Sequence, residues 1–324
     1  MARVVVVGSY NQDHVWRVDR FAQPGETRRG IDFMTGPGGK GFNQAVASAR
    51  QDVPTAFIGA LGNDAIGETA QNIARRERLD ARWQILDKVA TGTCGIIVDG
   101  EGQNQIVVAL AANEHLSPDF VEAQGEVFED ARVLLVQMEN DMPAIATALA
   151  MAGERGILRV VNPAPVHPEL TVKELAMADV LTPNEGEFAT LCGRFLNIDV
   201  TADTVAGMDD TTLNALARRF GDDTTVVITL GSQGCFVSHG NTRRGDGDAV
   251  YRVPAEKAKV VDTTGAGDAF NGALAAALAR DVDGRFRDAV SMANRVAAMS
   301  TERAGAASAM PTRDDVLRRF TEPK

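Results

Sequence analysis

Short runs rich in β-branched residues alternate along this chain with amphipathic or alanine-rich stretches, and few folds tolerate that alternation. The strand-like runs cover residues 3–7, 55–58, 133–136, 157–161, 179–181, 225–230 and 258–261. Helical patterns fall between them at 43–50, 66–78, 144–152, 210–220 and 269–279. A strand buried on both faces reads as a continuous apolar run, and parallel neighbours need a crossover helix. The pattern therefore predicts an α/β fold with a mainly parallel sheet covered by helices on both faces. In such sheets ligands bind beyond the carboxyl ends of the strands.

Two places break the rule. Residues 13–18 with 30–34, and 93–98 with 105–109, read as short strands with no helix between them. The tetrapeptide Asp99-Gly100-Glu101-Gly102 is hairpin chemistry. These segments predict a small β-sheet lid, built discontinuously from roughly residues 13–36 and 91–112, on a single domain spanning 1–324. Residues 196–208 are polar without periodicity and read as a surface loop.

With 324 residues, 44% of them hydrophobic, the chain can bury a large core. Its net charge of -11 argues against nucleic acid or an anionic membrane as partner. Cys94, Cys192 and Cys235 are scattered, as are His14, His115, His167 and His239, so neither a disulfide framework nor a zinc cluster is indicated. The opening apolar run, Val4–Val7, is too short for a signal peptide or a membrane span, and a cytoplasmic protein is expected.

Three stretches carry the chemistry, two of them glycine-rich. The first run is followed by GSYNQD, not by GxGxxG, and no GxxxxGK[ST] occurs anywhere. Asn11 and Asp13, two apart on an extended segment, point the same way and suit vicinal hydroxyls, or else form an Asx turn leaving a strand. In GPGGKGFNQAVASA, Gly38 and Gly39 allow close backbone approach, Lys40 brings a cation and Asn43 opens a helix of small residues. In VDTTGAGDAFNGAL, two aspartates flank small residues at the doorway of an apolar helix.

Taken together, these stretches make the chain resemble the ribokinase family of sugar and nucleoside kinases over essentially its whole length. GSYNQD is similar to the family's N-terminal sugar motif, PGGKGFNQA to its first signature and DTTGAGDAFNGA to its second. The segments from Asn162 to Pro165, Thr182 to Glu187 and Thr229 to Gly234 follow in the family's order.

The resemblance implies the site residues. Asp268 matches the catalytic base, and backbone N–H groups of Gly265, Ala266, Gly267 and Asp268 would form an anion hole at a helix N-terminus beginning near Asp268. The helix dipole would keep Asp268 ionised. Asn11, Asp13, Gly39, Lys40, Asn43 and Glu139 would read the sugar hydroxyls. Asn184 and Glu187 match an NxxE motif that orders Mg2+ through water, although the same four residues read equally as a helix capping box. Thr229, Gly231, Gly234 and Asn294 would line the ATP site. Asp262, with carbonyls around Thr264 and the loop from Arg303 through Gly305 to Ala309, would hold a monovalent cation such as K+. Ala309 stands where the family often has serine, with Ser308 adjacent.

The implied activity is phosphorylation of a sugar's primary hydroxyl by ATP, with D-ribose favoured by Lys40 and Gln44. Phe42 replaces a usually small residue and Tyr10 lies within the sugar motif, which leaves a nucleoside or another sugar as the alternative. A non-catalytic sugar-binding regulator is the alternative from a different class. The lid is expected to pair two copies into a homodimer.

Overall fold

The computed structural model describes residues 3–321. Thirteen strands form: β1 Val4–Val7, β2 Asn11–Arg17, β3 Asp32–Gly38, β4 Thr55–Gly62, β5 Asp80–Leu86, β6 Thr93–Val98, β7 Asn104–Ala109, β8 Val133–Val136, β9 Leu158–Val161, β10 Val180–Leu181, β11 Thr225–Thr229, β12 Cys235–Ser238 and β13 Val250–Val253. Nine make one sheet in the order β13-β12-β11-β10-β9-β8-β1-β4-β5, and four make a smaller one in the order β3-β2-β6-β7. From β11 to β5 every pairing is parallel; β12 and β13 extend the edge antiparallel.

The two-residue period of a strand divides the core. Val5 and Val7 join one apolar cluster with the helices Met142–Glu154 and Asp210–Ala217. Val4 and Val6 join the other with Lys40–Ala49, Ala65–Arg76, Ala266–Arg280 and Phe286–Ser300. All four valines are fully buried, which is why the run shows no polar alternation.

From β1 the chain first builds outward through β4 to β5, then returns to lay β8 on the other side of β1. The strand order therefore reverses between β1 and β8, and the crevice beyond their carboxyl ends is the expected ligand site. The small sheet begins four residues after β1 and its strand β2 pairs with β3 antiparallel and β6 parallel, so it stands over that crevice.

Two expectations are corrected. Residues 258–261 form no strand, because β13 already occupies the sheet edge. That segment runs past the edge with Val260 and Val261 exposed, and the N–H groups of Val261 and Asp262 both bond to the carbonyl of Thr301. Residues 196–208 are not all loop: a helix covers Ala202–Gly207, capped by the Thr201 hydroxyl and anchored by buried Val205.

Candidate active site

Each parallel strand delivers polar residues just past its last buried valine, leucine or threonine. Ser9 follows β1, Gln137 and Glu139 follow β8, Asn162 follows β9, Thr182 and Asn184 follow β10, and Thr229 closes β11. A buried strand has no spare hydrogen-bonding capacity, so polar side chains collect where the ladder stops.

The helix Lys40–Ala49 opens at Gly39, whose φ of 87° bends the chain out of β3. The N–H of Lys40 donates to Glu139 Oε2 at 3.0 Å, and Ser9 Oγ donates to the same oxygen at 2.6 Å. Glu139 Oε1 meets no hydrogen-bond partner among the described residues. Asn11 is fixed by a residue outside the sequence motifs: Asn113 Nδ2 donates to Asn11 Oδ1 at 3.0 Å and to the Tyr10 carbonyl, and Asn113 Oδ1 accepts the Tyr10 N–H. Asn11 is thereby left with its Nδ2 to offer a ligand. Asp13 lies directly over Gly38, where an added Cβ would sit 2.2 Å from Oδ2.

Asp268 closes the group. It is the third residue of the helix Ala266–Arg280, whose cap Gly265 has φ 75°, a left-handed turn suited to glycine. Asn43 Nδ2 donates to Asp268 Oδ2 and Gln44 Nε2 to Oδ1, each at 2.9 Å. Asn43 Oδ1, buried, meets no donor among the described residues, which suits a ligand hydroxyl.

Four carboxylates, Asp13, Glu139, Glu187 and Asp268, and the Lys40 cation crowd this space. Burial, then Glu139 and Asp268, push the Asp13 carboxyl up to about 7. Burial also drives Asp268 upward, against Lys40 and the amides of Gln44 and Asn43; the expectation that the helix dipole governs its charge is corrected by this desolvation. Burial opposes the Lys40 ammonium, yet Asp268, Glu139 and Glu187 hold it above the ordinary lysine range.

Lys40, Asn162, Thr182, Asn184, Glu187, Thr229 and residues 265–268 line one cavity at the helix N-terminus. The expected row of N–H groups is changed in one respect. Ala266 donates to the Thr263 carbonyl, whereas Gly265, Gly267 and Asp268 meet no backbone or side-chain acceptor among the described residues. Three N–H groups without an acceptor at a helix N-terminus suit an anion.

Asn184 and Glu187 do form the capping box, each side chain accepting the other's N–H at 2.8 Å. Glu187 Oε1 meets no hydrogen-bond partner among the described residues, and burial lifts this carboxyl to about 6 despite the Asn184 N–H and Lys40. A half-buried carboxylate with one free oxygen beside an anion pocket fits a hydrated divalent cation. Glycines 231 and 234 shape the turn after β11, both at positive φ. Asn294 is buried with its Nδ2 on the carbonyls of Val253 and Pro254, so it fastens the exit of β13.

Asp262 joins two loops, accepting from Thr264 N–H and Gly305 N–H at 2.9 Å each. Burial works against its charge, but these N–H groups hold its carboxyl below the usual range. No hydrogen bond or ion pair joins Asp262 to Arg303 or Ala309 among the described residues; Ala309 is buried, and Arg50 takes the carbonyls of Ser308 and Met310. A cation here would rely on backbone carbonyls and the second lone pairs of Asp262.

Tyr10 and Phe42 do not face the cavity. Both are fully buried, edge to face at 5.1 Å, in an aromatic cluster with Phe57 and Trp83. Sequence reasoning did not identify Ser9, Asn113 or Gln137, single polar residues beside apolar runs that only the sheet topology brings together.

The comparisons agree with this geometry. The model of the pfkB family of carbohydrate kinases matches residues 1–313. A ribokinase of Haemophilus influenzae is 36% identical over 318 residues, 97% of each chain. The structure of ribokinase from Giardia lamblia superposes with a TM-score of 0.87 at 26% identity, covering 99% of this chain and 98% of that one. Arabidopsis thaliana ribokinase, solved with ribose and ATP, gives 0.79 at 26% identity and 99% of both chains. The glycine-rich cradle, the carboxylate at its helix end and the full-length match lead to one conclusion: this chain belongs to the pfkB family of carbohydrate kinases.

Proposed function

We propose that the protein transfers the γ-phosphoryl group of ATP to the primary hydroxyl of D-ribose, giving D-ribose 5-phosphate. The observation that carries this reading is the carboxylate of Asp268, fixed by Asn43 and Gln44 between a hydroxyl-reading shell and a helix N-terminus. The ribokinase relatives, 36% identical in the case of Haemophilus influenzae, support ribose as the sugar.

Asn11, Asp13, Asn43 and Glu139 hold the sugar with its primary hydroxyl toward Asp268. The hydroxyl oxygen attacks the γ-phosphorus; a new O–P bond forms, the bond to the bridging oxygen breaks, and ADP leaves with the electron pair. Asp268 takes the hydroxyl proton. Lys40 and the N–H groups of Gly265 and Gly267 receive the charge that spreads over the transferring oxygens. Thr229 and the turn at Gly231 and Gly234 flank the nucleotide, with Asn294 supporting its adenine end. Asn184 and Glu187 would hold a magnesium ion through water, which would supply charge neutralisation at the phosphates. Asp262 would hold a potassium ion, whose charge would stiffen the loop that presents the N–H groups.

The small sheet acts as the lid and as the surface of a homodimer. Its outer residues Trp16, Phe33 and Val107, on one face by register, are 39%, 50% and 76% exposed, and β3 and β7 are the edge strands. Three buried free thiols suit a reducing compartment such as the cytoplasm. A coupled ADP-release assay across pentoses, hexoses and nucleosides tests the substrate: ribose should give the highest kcat/KM, and a nucleoside far above ribose would overturn the assignment.

A further inference from the structure

The carboxylate of Asp268 is held by a chain of buried amides that continues well behind the cavity. Gln44 Nε2 donates to Asp268 Oδ1 at 2.9 Å and to Asn162 Oδ1 at 3.0 Å. Gln44 Oε1 accepts from Gln137 Nε2 at 2.6 Å. Asn162 Nδ2 in turn donates to the Thr182 carbonyl at 2.8 Å. Gln44 and Gln137 are fully buried and Asn162 nearly so.

The polarity of this chain is forced. Asn162 must turn its oxygen to Gln44, because its nitrogen meets a carbonyl. A carboxylate only accepts. Both neighbours therefore require Gln44 to present Nε2, which leaves its oxygen facing Gln137, and Gln137 must answer with its nitrogen. The consequence is visible at the end of the chain: Gln137 Oε1 is buried and meets no donor among the described residues. A thioether or alkyl side chain of similar length would fill the same space without an orphaned acceptor. Gly8 makes the room, since a Cβ there would lie 2.2 Å from that oxygen.

We infer that Gln137 is a positioning residue for phosphoryl transfer: by fixing Gln44 it locks the carboxylate of Asp268 in its accepting orientation toward the sugar hydroxyl. The inference rests on the reading of Asp268 as the base. The charges around Asp268 explain why such support is needed. Glu139, Asp13 from the small sheet and Glu187 from the helix Glu185–Leu191 all oppose its ionisation, while Lys40 and the amides of Gln44 and Asn43 favour it. The amide donors add to Lys40 without adding a mobile cation.

Gln137→Met keeps the length and removes the donor. It should lower kcat roughly 10-fold, a part of the 10²–10⁴ that a general base supplies. Sugar and ATP KM should stay within about 2-fold, and the acidic limb of kcat should move to higher pH. Gln137→Glu gives the opposite signature. Protonated, it still donates to Gln44; ionised, it presents an acceptor to an acceptor and draws the amide away from Asp268, so kcat should fall as pH rises. In an Asp268→Asn background Gln137→Met should add no further loss. Wild-type pH profiles in both variants, or an equal loss in both backgrounds, would overturn the inference. If Gln137→Met is too unstable to assay, the Gln137→Glu profile decides. Near-normal kcat in Asp268→Asn alone would instead remove the base on which the inference stands.

Discussion

Asn43 donates to Asp268 across 2.9 Å although 225 residues separate them in the chain. The two glycine-rich signatures therefore form one site, each supplying half of what the other lacks: Asn43 and Lys40 bring donors and charge, Asp268 the acceptor. Close packing of their helices makes this contact possible, since a Cβ on Gly272 would lie 2.3 Å from the carbonyl of Gln44.

Asp13→Asn should raise the sugar KM by roughly 10- to 100-fold, equivalent to about 1–3 kcal/mol for one buried hydroxyl partner, with ATP KM unchanged. The same variant tests the electrostatics. The Asp13 carboxyl titrates near 7 when folded, above its unfolded value, so its contribution to stability is present at acid pH and lost as pH rises through about 7. Without sugar, Asp13→Asn should therefore melt higher than wild type at about pH 8 and alike at about pH 4. Equal melting curves at both would contradict the crowding of carboxylates.

Turnover should rise when potassium replaces a bulky organic cation at equal ionic strength, and Asp262→Ala should abolish that difference. Steady-state rates in the two salts decide it; identical rates for the wild-type protein would remove the cation site.

Glu187→Gln should shift the magnesium dependence of kcat to higher concentration, by roughly 10-fold, while leaving the sugar KM alone. Magnesium titrations at saturating ATP measure this. A shift confined to thermal stability would assign Glu187 to helix capping only.

Light scattering at micromolar concentration should give the mass of a dimer, and Phe33→Glu with Val107→Glu should give a monomer. A wild-type monomer would leave the apolar face of the small sheet without a partner and contradict this interface.

Much of the fold was legible because burial leaves a period in the sequence. β1 and β8 are four consecutive buried residues each and β4 is eight, runs that carry no polar alternation of a one-faced strand. β5 was not legible: it is an edge strand with mixed burial, and its residues alternate without a clean apolar face. The valines at 260 and 261 misled for the converse reason, since β-branched residues favour strands only where a neighbour offers a free edge. In the site, Lys40, Asn43 and Asp268 stood out within glycine-rich stretches, and Asn11 and Asp13 as an amide–carboxylate pair two residues apart just past a buried strand. Gln137 and Asn113 act through partners more than 90 positions away, a relationship that only the strand order creates.

The central claim is that Asp268 accepts the proton of the attacking hydroxyl. Asp268→Asn keeps the size of the side chain and a hydrogen-bonding group at the helix end but cannot take a proton. Single-turnover kinetics with ribose and MgATP should show kcat reduced on the order of 10²–10⁴-fold, while equilibrium binding of both substrates persists. A variant that turns over ribose at nearly the wild-type rate would contradict the account, and would return Asp268 to the role of an acidic residue stabilising its own helix.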